Sequence, residues 1–237
     1  RFDLKDFHTD PIQRGKTIYR DAGITTTMGV PPVILPLGRA IGGTTVINSG
    51  TCFRTPDTIF KKWAKEYGLD EFNSQTMARY YEQVERDIHV AEVPEALLGK
   101  SAQMIQKGFA KMGLHGMPLK RNAKGCEGSG LCGFGCPTDA KQSMQVSYIP
   151  QALEQGAILY GNCKAEKIVN ENGKITEVIA QSNDPLTKEK GGKLRIKAKL
   201  FVVAAGTIYT PLLLKGSKVG LASGQVGKHL TLHPASK

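Results

Sequence analysis

Two stretches of the sequence carry residues whose types and spacing suggest chemistry. The first runs from Leu35 to Arg54, where three glycines precede two adjacent threonines, namely Gly38, Gly42, Gly43, Thr44 and Thr45. Glycine lacks a Cβ, so the backbone can approach a ligand closely and adopt a positive φ. Successive N–H groups and threonine hydroxyls in such a turn can bind a phosphate. The simpler alternative is a glycine-rich turn that leads into a buried apolar segment at Val46–Ile47.

The second stretch is a loop rich in glycine and cysteine, residues 116–141. Its thiols are Cys126, Cys132 and Cys136, and a proline follows the last of them. Thiolates spaced along a glycine-rich loop can hold an inorganic cluster, and a Cys-Pro ending recurs in ferredoxins. Free thiols or a disulfide are the alternatives. Zinc fits less well, because four ligands are usual and no histidine lies between these cysteines; Cys163 would be a fourth ligand only if the fold brought it near.

One G-x-G-x-x-G pattern occurs, at residues 128–133. A dinucleotide-binding turn needs a buried strand before it and a helix after it. No apolar strand precedes this pattern and no helical pattern opens with it, so we reject it as a dinucleotide fingerprint.

The helices and strands that must position these residues are predicted from the spacing of apolar residues and from capping and turn residues. Apolar spacing and caps predict a helix over 57–67 with Gly68 as its C-terminal cap and a second helix with Ser74 as its N-cap that runs through Ile88. Two more are predicted over 101–113 and from Pro150 to Gly156. Their apolar stripes are expected to pack in a core or between domains. Short strands are predicted at 157–160, 164–170, 175–181 and 194–198, with a hairpin at Asn172–Gly173. The run Leu200–Ala204 is typical of a buried parallel strand. The pattern indicates an α/β fold.

Composition narrows the function classes. The chain has 237 residues and a formal net charge of +11, from 32 Lys and Arg against 21 Asp and Glu. An excess of this kind suits nucleic acid, acidic lipid or an acidic protein. The lysines are scattered and no aromatic-rich recognition motif accompanies them, so nucleic acid is disfavoured. No apolar run reaches the length of a membrane span. Five cysteines do not make an even disulfide framework, which favours a reduced compartment or a metal site.

The glycine stretch resembles the signature of the glucose–methanol–choline (GMC) flavoprotein oxidoreductases, in which G-R-x-x-G-G-[ST]-[ST]-x-x-N is followed by an arginine. A second block, Phe201–Thr207 with Thr210–Leu214, resembles the late flavin-contacting strand and helix of that family. The resemblance runs from about Thr17 to the end. It implies a partial, Rossmann-like FAD-binding fold with an inserted helical cap or substrate region and a small β-meander. The expected segments are 1–56 with the FAD signature, 57–147 with the helical and cysteine-rich cap, and 148–237 with the FAD-binding core.

The resemblance also implies the residues that contact FAD. They are Gly38, Gly42, Gly43, Thr44, Asn48 and Gly50 in the signature, Ala165 for adenine, and Ala205 and Gly206 beside the ADP portion. Relatives with covalent flavin carry a histidine directly before the signature asparagine. Ile47 stands there, so non-covalent FAD is expected.

The chemistry implied is oxidation of the CH–OH group of an alcohol or sugar, with hydride transfer to flavin. In the family the dinucleotide fingerprint lies upstream of residue 1 and the catalytic histidine lies downstream of residue 237. The chain is therefore expected to be an internal, inactive portion of such an enzyme, and its catalytic residues are unknown. His229 and His233 are expected to make structural hydrogen bonds; His8, His89 and His115 are no better placed to act as the base.

The cysteine spacing resembles the iron–sulfur branch of the same family, which implies a 3Fe-4S cluster on Cys126, Cys132 and Cys136 and an electron-acceptor protein such as a cytochrome. An iron–sulfur electron-transfer module is thus the second functional hypothesis. A basic binding domain is the third. The expected partners are a small alcohol or sugar, with no nucleic acid and no transmembrane segment; the compartment, cytoplasmic or periplasmic, is undetermined.

Overall fold

The computed structural model describes residues 10–185, 187 and 189–232. The predictions on His8 and on the segment from His233 onward lie outside the described residues. The chain divides into two compact units, Arg1–Ile158 and Leu159–Lys237. Each unit is described by itself.

The first unit is mainly helical. Its α-helices are α1 (Pro11–Ile18), α2 (Asp57–Tyr67), α3 (Ser74–Asp87), α4 (Lys100–Lys111) and α5 (Tyr148–Glu154). Short 3₁₀ helices cover Arg20–Gly23, Gly43–Val46, Glu95–Leu97 and Cys132–Phe134. Two short strands, β1 (Val90–Glu92) and β2 (Lys120–Asn122), pair antiparallel, with Ala91 opposite Arg121.

Helix boundaries in this unit follow the sequence closely. Gly68 ends α2 in the left-handed conformation, with φ of 65°, as predicted. The start of α3 was predicted one residue late. Asn73, and not Ser74, is the N-cap: its side chain accepts the Thr76 N–H while the Thr76 hydroxyl accepts the Asn73 N–H, which makes a reciprocal capping box. Helix α5 begins at Tyr148, two residues before Pro150.

The apolar stripe of α4 does not pack in a core among the described residues, which leaves the second expectation, packing between domains, as a prediction. Ile105 is 60% exposed and Met112 is 71% exposed, whereas Phe60 of α2 is buried. Helix α4 makes at most marginal contact with other helices and strands in the part of the chain described. A buried apolar cluster holds Ile18, Val46 and Ile47, and it packs the segment after the glycine turn against the end of α1.

The second unit is a three-stranded antiparallel meander with one helix. Its elements are β3 (Cys163–Glu171), β4 (Lys174–Asn183), β5 (Lys190–Ile196) and α6 (Gly206–Ser217), with β4 in the centre of the sheet. Asn172 and Gly173 both have positive φ, 52° and 82°, and form the predicted two-residue turn between β3 and β4. The Ser217 hydroxyl accepts the Ile168 N–H at 2.9 Å, which ties the end of α6 to β3.

Two strand predictions in this half of the sequence are wrong. Residues 157–160 form no strand, and neither does the run Leu200–Ala204. Exposure alternates along that run: Leu200 and Val202 are 78% and 82% exposed, whereas Phe201 and Val203 are half-buried. This alternation is that of a strand with one covered face, but the run has no ladder partner among the described residues.

Candidate functional site

The glycine stretch folds into a tight left-handed turn that leads into a 3₁₀ helix. Gly42 has φ of 90° and Gly43 has φ of 57°, and the 3₁₀ helix Gly43–Val46 follows with no side chain capping its start. Both φ values lie in the region that glycine adopts without a steric penalty. Val46 and Ile47 are buried directly after the turn, as predicted.

The glycines of this stretch divide into two groups. A Cβ on Gly38 would lie 2.6 Å from the Gly43 carbonyl oxygen, and one on Gly42 would lie 2.8 Å from the Gln145 nitrogen. Gly50 is restricted in the same way by the Asn122 side chain, at 2.6 Å. These glycines are therefore needed for internal packing.

Gly43 is different from the other glycines of the turn. A Cβ on Gly43 would meet nothing within 4 Å, so this residue borders open space. Its positive φ and the open space beside it leave room for a ligand against the backbone of the turn. Thr44, the next residue, is exposed.

The two threonines have separate roles. The Thr45 hydroxyl donates to the Gly42 carbonyl at 2.5 Å and accepts the Met144 N–H at 3.0 Å, so it fastens the turn to the segment before α5. The Thr44 hydroxyl accepts the Gly38 N–H at 3.2 Å and keeps its own proton available. Further on, the exposed Asn48 closes a local turn by accepting the Gly50 N–H at 3.1 Å.

A buried lysine that the sequence analysis did not single out connects this turn to the cysteine loop. The Lys141 Nζ donates to the carbonyl oxygens of Val46, Asn48 and Cys132, each at 2.7 Å. The residue is 4% exposed. Burial lowers the pKa of Lys141 to about 8, while the neighbouring thiols of Cys132 and Cys136 act in the opposite direction. All three protons of the ammonium group are thus used to fix backbone.

The carbonyls of the 3₁₀ helix Cys132–Phe134 accept from three different side chains. Besides Lys141, the Tyr19 hydroxyl donates to Gly133, and the Arg14 guanidinium donates twice to Phe134, from Nε at 2.9 Å and from Nη2 at 2.8 Å. Arg14 is 2% exposed, and burial lowers its pKa from the ordinary value. Two buried cations therefore hold the cysteine loop against α1 and the glycine stretch. No sequence pattern marked Arg14 or Lys141, since each is an isolated basic residue in a polar context.

The three candidate metal ligands are not gathered into one site. Among the described residues no group of three or more His, Cys, Asp or Glu side chains is arranged to hold a metal ion. Cys126 is exposed, and the Cys132 Sγ instead accepts the Arg121 Nη2 at 2.9 Å. Burial opposes ionisation of Cys136, but N–H and O–H donors of Thr138, Ala140 and Lys141 lower its pKa overall. The described donors thus do not fit a cluster, and we derive no step through one.

The arginine after the signature has a structural partner. Arg54 contacts Glu85 of α3 through two hydrogen bonds, at 2.8 and 2.6 Å, and its guanidinium lies 5.7 Å from the centre of the Tyr81 ring. The hydrogen bond with Arg54 lowers the pKa of Glu85. The end of the signature is in this way fixed to the helical segment.

In the second unit, two further predicted residues line the same cavity. Ala165 of β3 and Ala205 border an apolar cavity of about 200 Å³, together with Phe201, Val203 and Leu213. Gly206, with φ of 80°, begins α6 beside it. The structure therefore brings Ala165 and Ala205 together around one cavity, with Gly206 next in the chain.

Of the histidines, His229 makes the structural hydrogen bond that was expected. Its Nε2 lies 3.0 Å from the Gln225 Oε1 on an exposed surface. His89 borders an open cleft of about 640 Å³ along α3, which contains none of the predicted site residues. Of the carboxylates that line this cleft, Glu85 forms an ion pair with Arg54.

The chain is similar in sequence to a known family of oxidoreductases. The family model described as GMC oxidoreductase matches residues 16–235. An uncharacterized GMC-type oxidoreductase of Mycobacterium tuberculosis is 36% identical over 237 residues, which is 100% of this chain and 37% of that protein.

Two further relatives have names that state an activity. A long-chain-alcohol oxidase of Arabidopsis thaliana is 30% identical over 92% of this chain and 29% of its own length. The 2-methyl-1,2-propanediol dehydrogenase of Mycolicibacterium austroafricanum is 26% identical over 81% of this chain and 40% of its own length. The chain spans less than half the length of each of these relatives. No helix among the described residues has the length and apolarity required to cross a bilayer.

Replacing Lys141 tests the connection between the two loops. Lys141→Met keeps the aliphatic stem but leaves three carbonyl oxygens without their donor, so we expect the free energy of unfolding to fall by about 2–4 kcal/mol. Urea unfolding of the purified protein measures this change. Lys124→Met, at an exposed position of the same loop, is the control and should change stability by less than about 0.5 kcal/mol. Equal effects of the two changes would contradict the proposed connection.

The lowered pKa of Lys141 predicts a specific pH dependence. In the folded chain this pKa is about 8 against an ordinary 10.5, so folding releases a proton between those pH values. The unfolded state then binds more protons, and the stability contributed by Lys141 rises from pH 8 to 10.5 by up to about 3 kcal/mol. NMR titration of labelled lysine side chains should show one Cε signal with a midpoint near pH 8. Uniform midpoints above pH 10 would contradict this environment.

Proposed function

Because this chain belongs to the GMC oxidoreductase family, we propose that it supplies FAD-binding elements of an enzyme that oxidises the CH–OH group of an alcohol or sugar. The observation that carries the proposal is the turn at Gly42–Gly43. Both residues have positive φ, the turn is braced from within, and its outer side at Gly43 is open. A backbone turn of this kind suits an anionic ligand such as the diphosphate of FAD.

We propose two sets of FAD contacts, one in each unit. In the first unit the backbone of Gly42, Gly43 and Thr44 would hold the diphosphate, with Asn48 and Gly50 nearer the flavin. In the second unit the Ala165 backbone would contact adenine and Ala205–Gly206 would border the ADP portion. Ala165 and Ala205, both small, line the apolar cavity of the second unit. When bound, FAD supplies the hydride acceptor of the reaction.

The residues of this chain fix the backbone of the turn and determine which side chains face the proposed flavin. Thr45 and Lys141 fix the backbone of the turn, so its conformation does not depend on a bound ligand. Ile47 stands directly before Asn48 and has a buried hydrocarbon side chain, 6% exposed, so it offers no nucleophile for a covalent bond to flavin. We assign no catalytic base to the described residues.

The substrate class is proposed from the relatives. One is named as an oxidase of long-chain alcohols and another as a dehydrogenase of a small diol, so both names describe an alcohol substrate. An alcohol substrate is therefore the shared element. The two names differ in the electron acceptor that they imply, and we leave the acceptor unassigned.

Substitution of Gly43 tests the proposed FAD contact. Gly43→Ala places a methyl group in open space at a positive φ, so it should destabilise the fold by only about 1 kcal/mol. The same methyl group would occupy the space proposed for the diphosphate, and we expect at least a tenfold rise in the Kd for FAD, measured by flavin fluorescence quenching with the purified protein.

The matched control is Gly68→Ala. Gly68 has φ of 65° and open space around its Cβ position, but it caps α2 away from the turn. This variant should lose a similar amount of stability and keep its affinity for FAD. An unchanged Kd in Gly43→Ala, or an equal rise in both variants, would refute the assignment.

Acid precipitation tests how flavin is held. Because residue 47 is isoleucine, all flavin of the holoprotein should remain in the supernatant after trichloroacetic acid treatment, with the pellet colourless. A yellow pellet that fluoresces after proteolysis would show a covalent link and contradict the prediction.

A further inference from the structure

Helix α4 presents an exposed apolar face bordered by lysines. Met104, Ile105 and Met112 are 67%, 60% and 71% exposed. The chain that follows the helix adds Leu114 and Met117, which are 51% and 75% exposed. These residues share one region, because Phe109 of the helix packs against the backbone at Gly116, where a Cβ would lie 2.5 Å from its ring. We call these five residues, Met104, Ile105, Met112, Leu114 and Met117, the α4 face.

The charged residues of α4 itself are all basic. On a helical projection Lys100, Lys107 and Lys111 lie within about 40° of one another, along one edge of the apolar stripe. The sequence from residue 96 to residue 126 contains six basic residues and no Asp or Glu. A helix with a methionine-rich apolar face and a lysine edge combines the two features that bind an anionic bilayer surface.

We propose that the α4 face docks the protein on the surface of a membrane that contains anionic phospholipid. The apolar side chains enter the boundary between headgroups and acyl chains, and the lysines contact lipid phosphates. A lipid surface accounts for both observations, since its acyl chains would cover the exposed methionines and its phosphates would contact the lysines. This mode of binding lies in the plane of the membrane and needs no spanning helix.

Vesicle sedimentation with the purified protein tests the proposal. Sucrose-loaded vesicles of phosphatidylcholine with 30% phosphatidylglycerol should bind the protein at least tenfold more strongly than vesicles of phosphatidylcholine alone. Raising NaCl from 50 to 500 mM should weaken binding to the anionic vesicles, because exposed charges are screened. Equal binding to the two lipid compositions, or no binding to either, would overturn the proposal.

Two sets of variants locate the contact. The triple change Lys100→Gln, Lys107→Gln and Lys111→Gln should reduce affinity for anionic vesicles by about 100-fold. Its control is Lys164→Gln, Lys167→Gln and Lys174→Gln, at exposed positions of the second unit, which removes the same charge and should leave binding within about threefold. Comparable losses in the two triple variants would mean that net charge alone governs binding, which would overturn the assignment to α4.

The apolar contribution is tested by Ile105→Gln with Met112→Gln, which should lower vesicle binding at least tenfold. Its control is Met28→Gln with Ile158→Gln, at residues that are 103% and 78% exposed. The substituted positions are exposed, so the melting temperatures of all variants should match that of the wild type. A protein that forms dimers through this face, with the Ile105/Met112 variant monomeric and neither form bound to vesicles, would refute the membrane proposal.

Discussion

The candidate site depends on one buried ammonium group. Lys141 has carbonyl oxygens as its partners, two from the glycine stretch and one from the cysteine loop. Burying this charge is costly, as its lowered pKa indicates, and the three short hydrogen bonds offset part of that cost. Because one donor group serves two loops that are distant in sequence, movement of either loop away from the other would leave buried polar groups unpaired. The backbone that follows the glycine turn is therefore tied to the cysteine loop.

The turn illustrates how one residue type can serve two purposes within a short segment. Gly38, Gly42 and Gly50 are glycine because neighbouring atoms occupy the space of a side chain. Gly43 is glycine although that space is empty. Steric restriction explains glycine at positions 38, 42 and 50. At position 43 the positive φ favours glycine. The open space beside Gly43 leaves its backbone accessible to the ligand that we propose.

The sequence predicts local structure well and long-range contacts poorly. The Gly68 cap and the Asn172–Gly173 turn depend on neighbouring residues alone, and both are present as expected. Lys141 and Arg14 contact residues 93 and 120 positions away, and no local pattern encodes such distances. The cysteine spacing predicted that three thiols share one metal site. Instead the Cys132 Sγ accepts a hydrogen bond from the Arg121 side chain, and the Cys136 Sγ accepts one from the Lys141 backbone N–H. Spacing along a loop does not determine whether its thiols converge.

Two exposed apolar segments in the separate units require different kinds of cover. The run Leu200–Ala204 has apolar side chains and pairs with no strand among the described residues, so a suitable neighbour must supply both hydrogen bonds and apolar contact, as another strand does. The backbone of α4 is already satisfied by its own hydrogen bonds, so its exposed face needs apolar contact alone. Lysines beside that face add a preference for negative charge without the need for a geometrically defined partner. A lipid surface supplies both apolar contact and negative charge to the α4 face, because its acyl chains and phosphates are mobile. The run Leu200–Ala204 instead requires a strand in a fixed position.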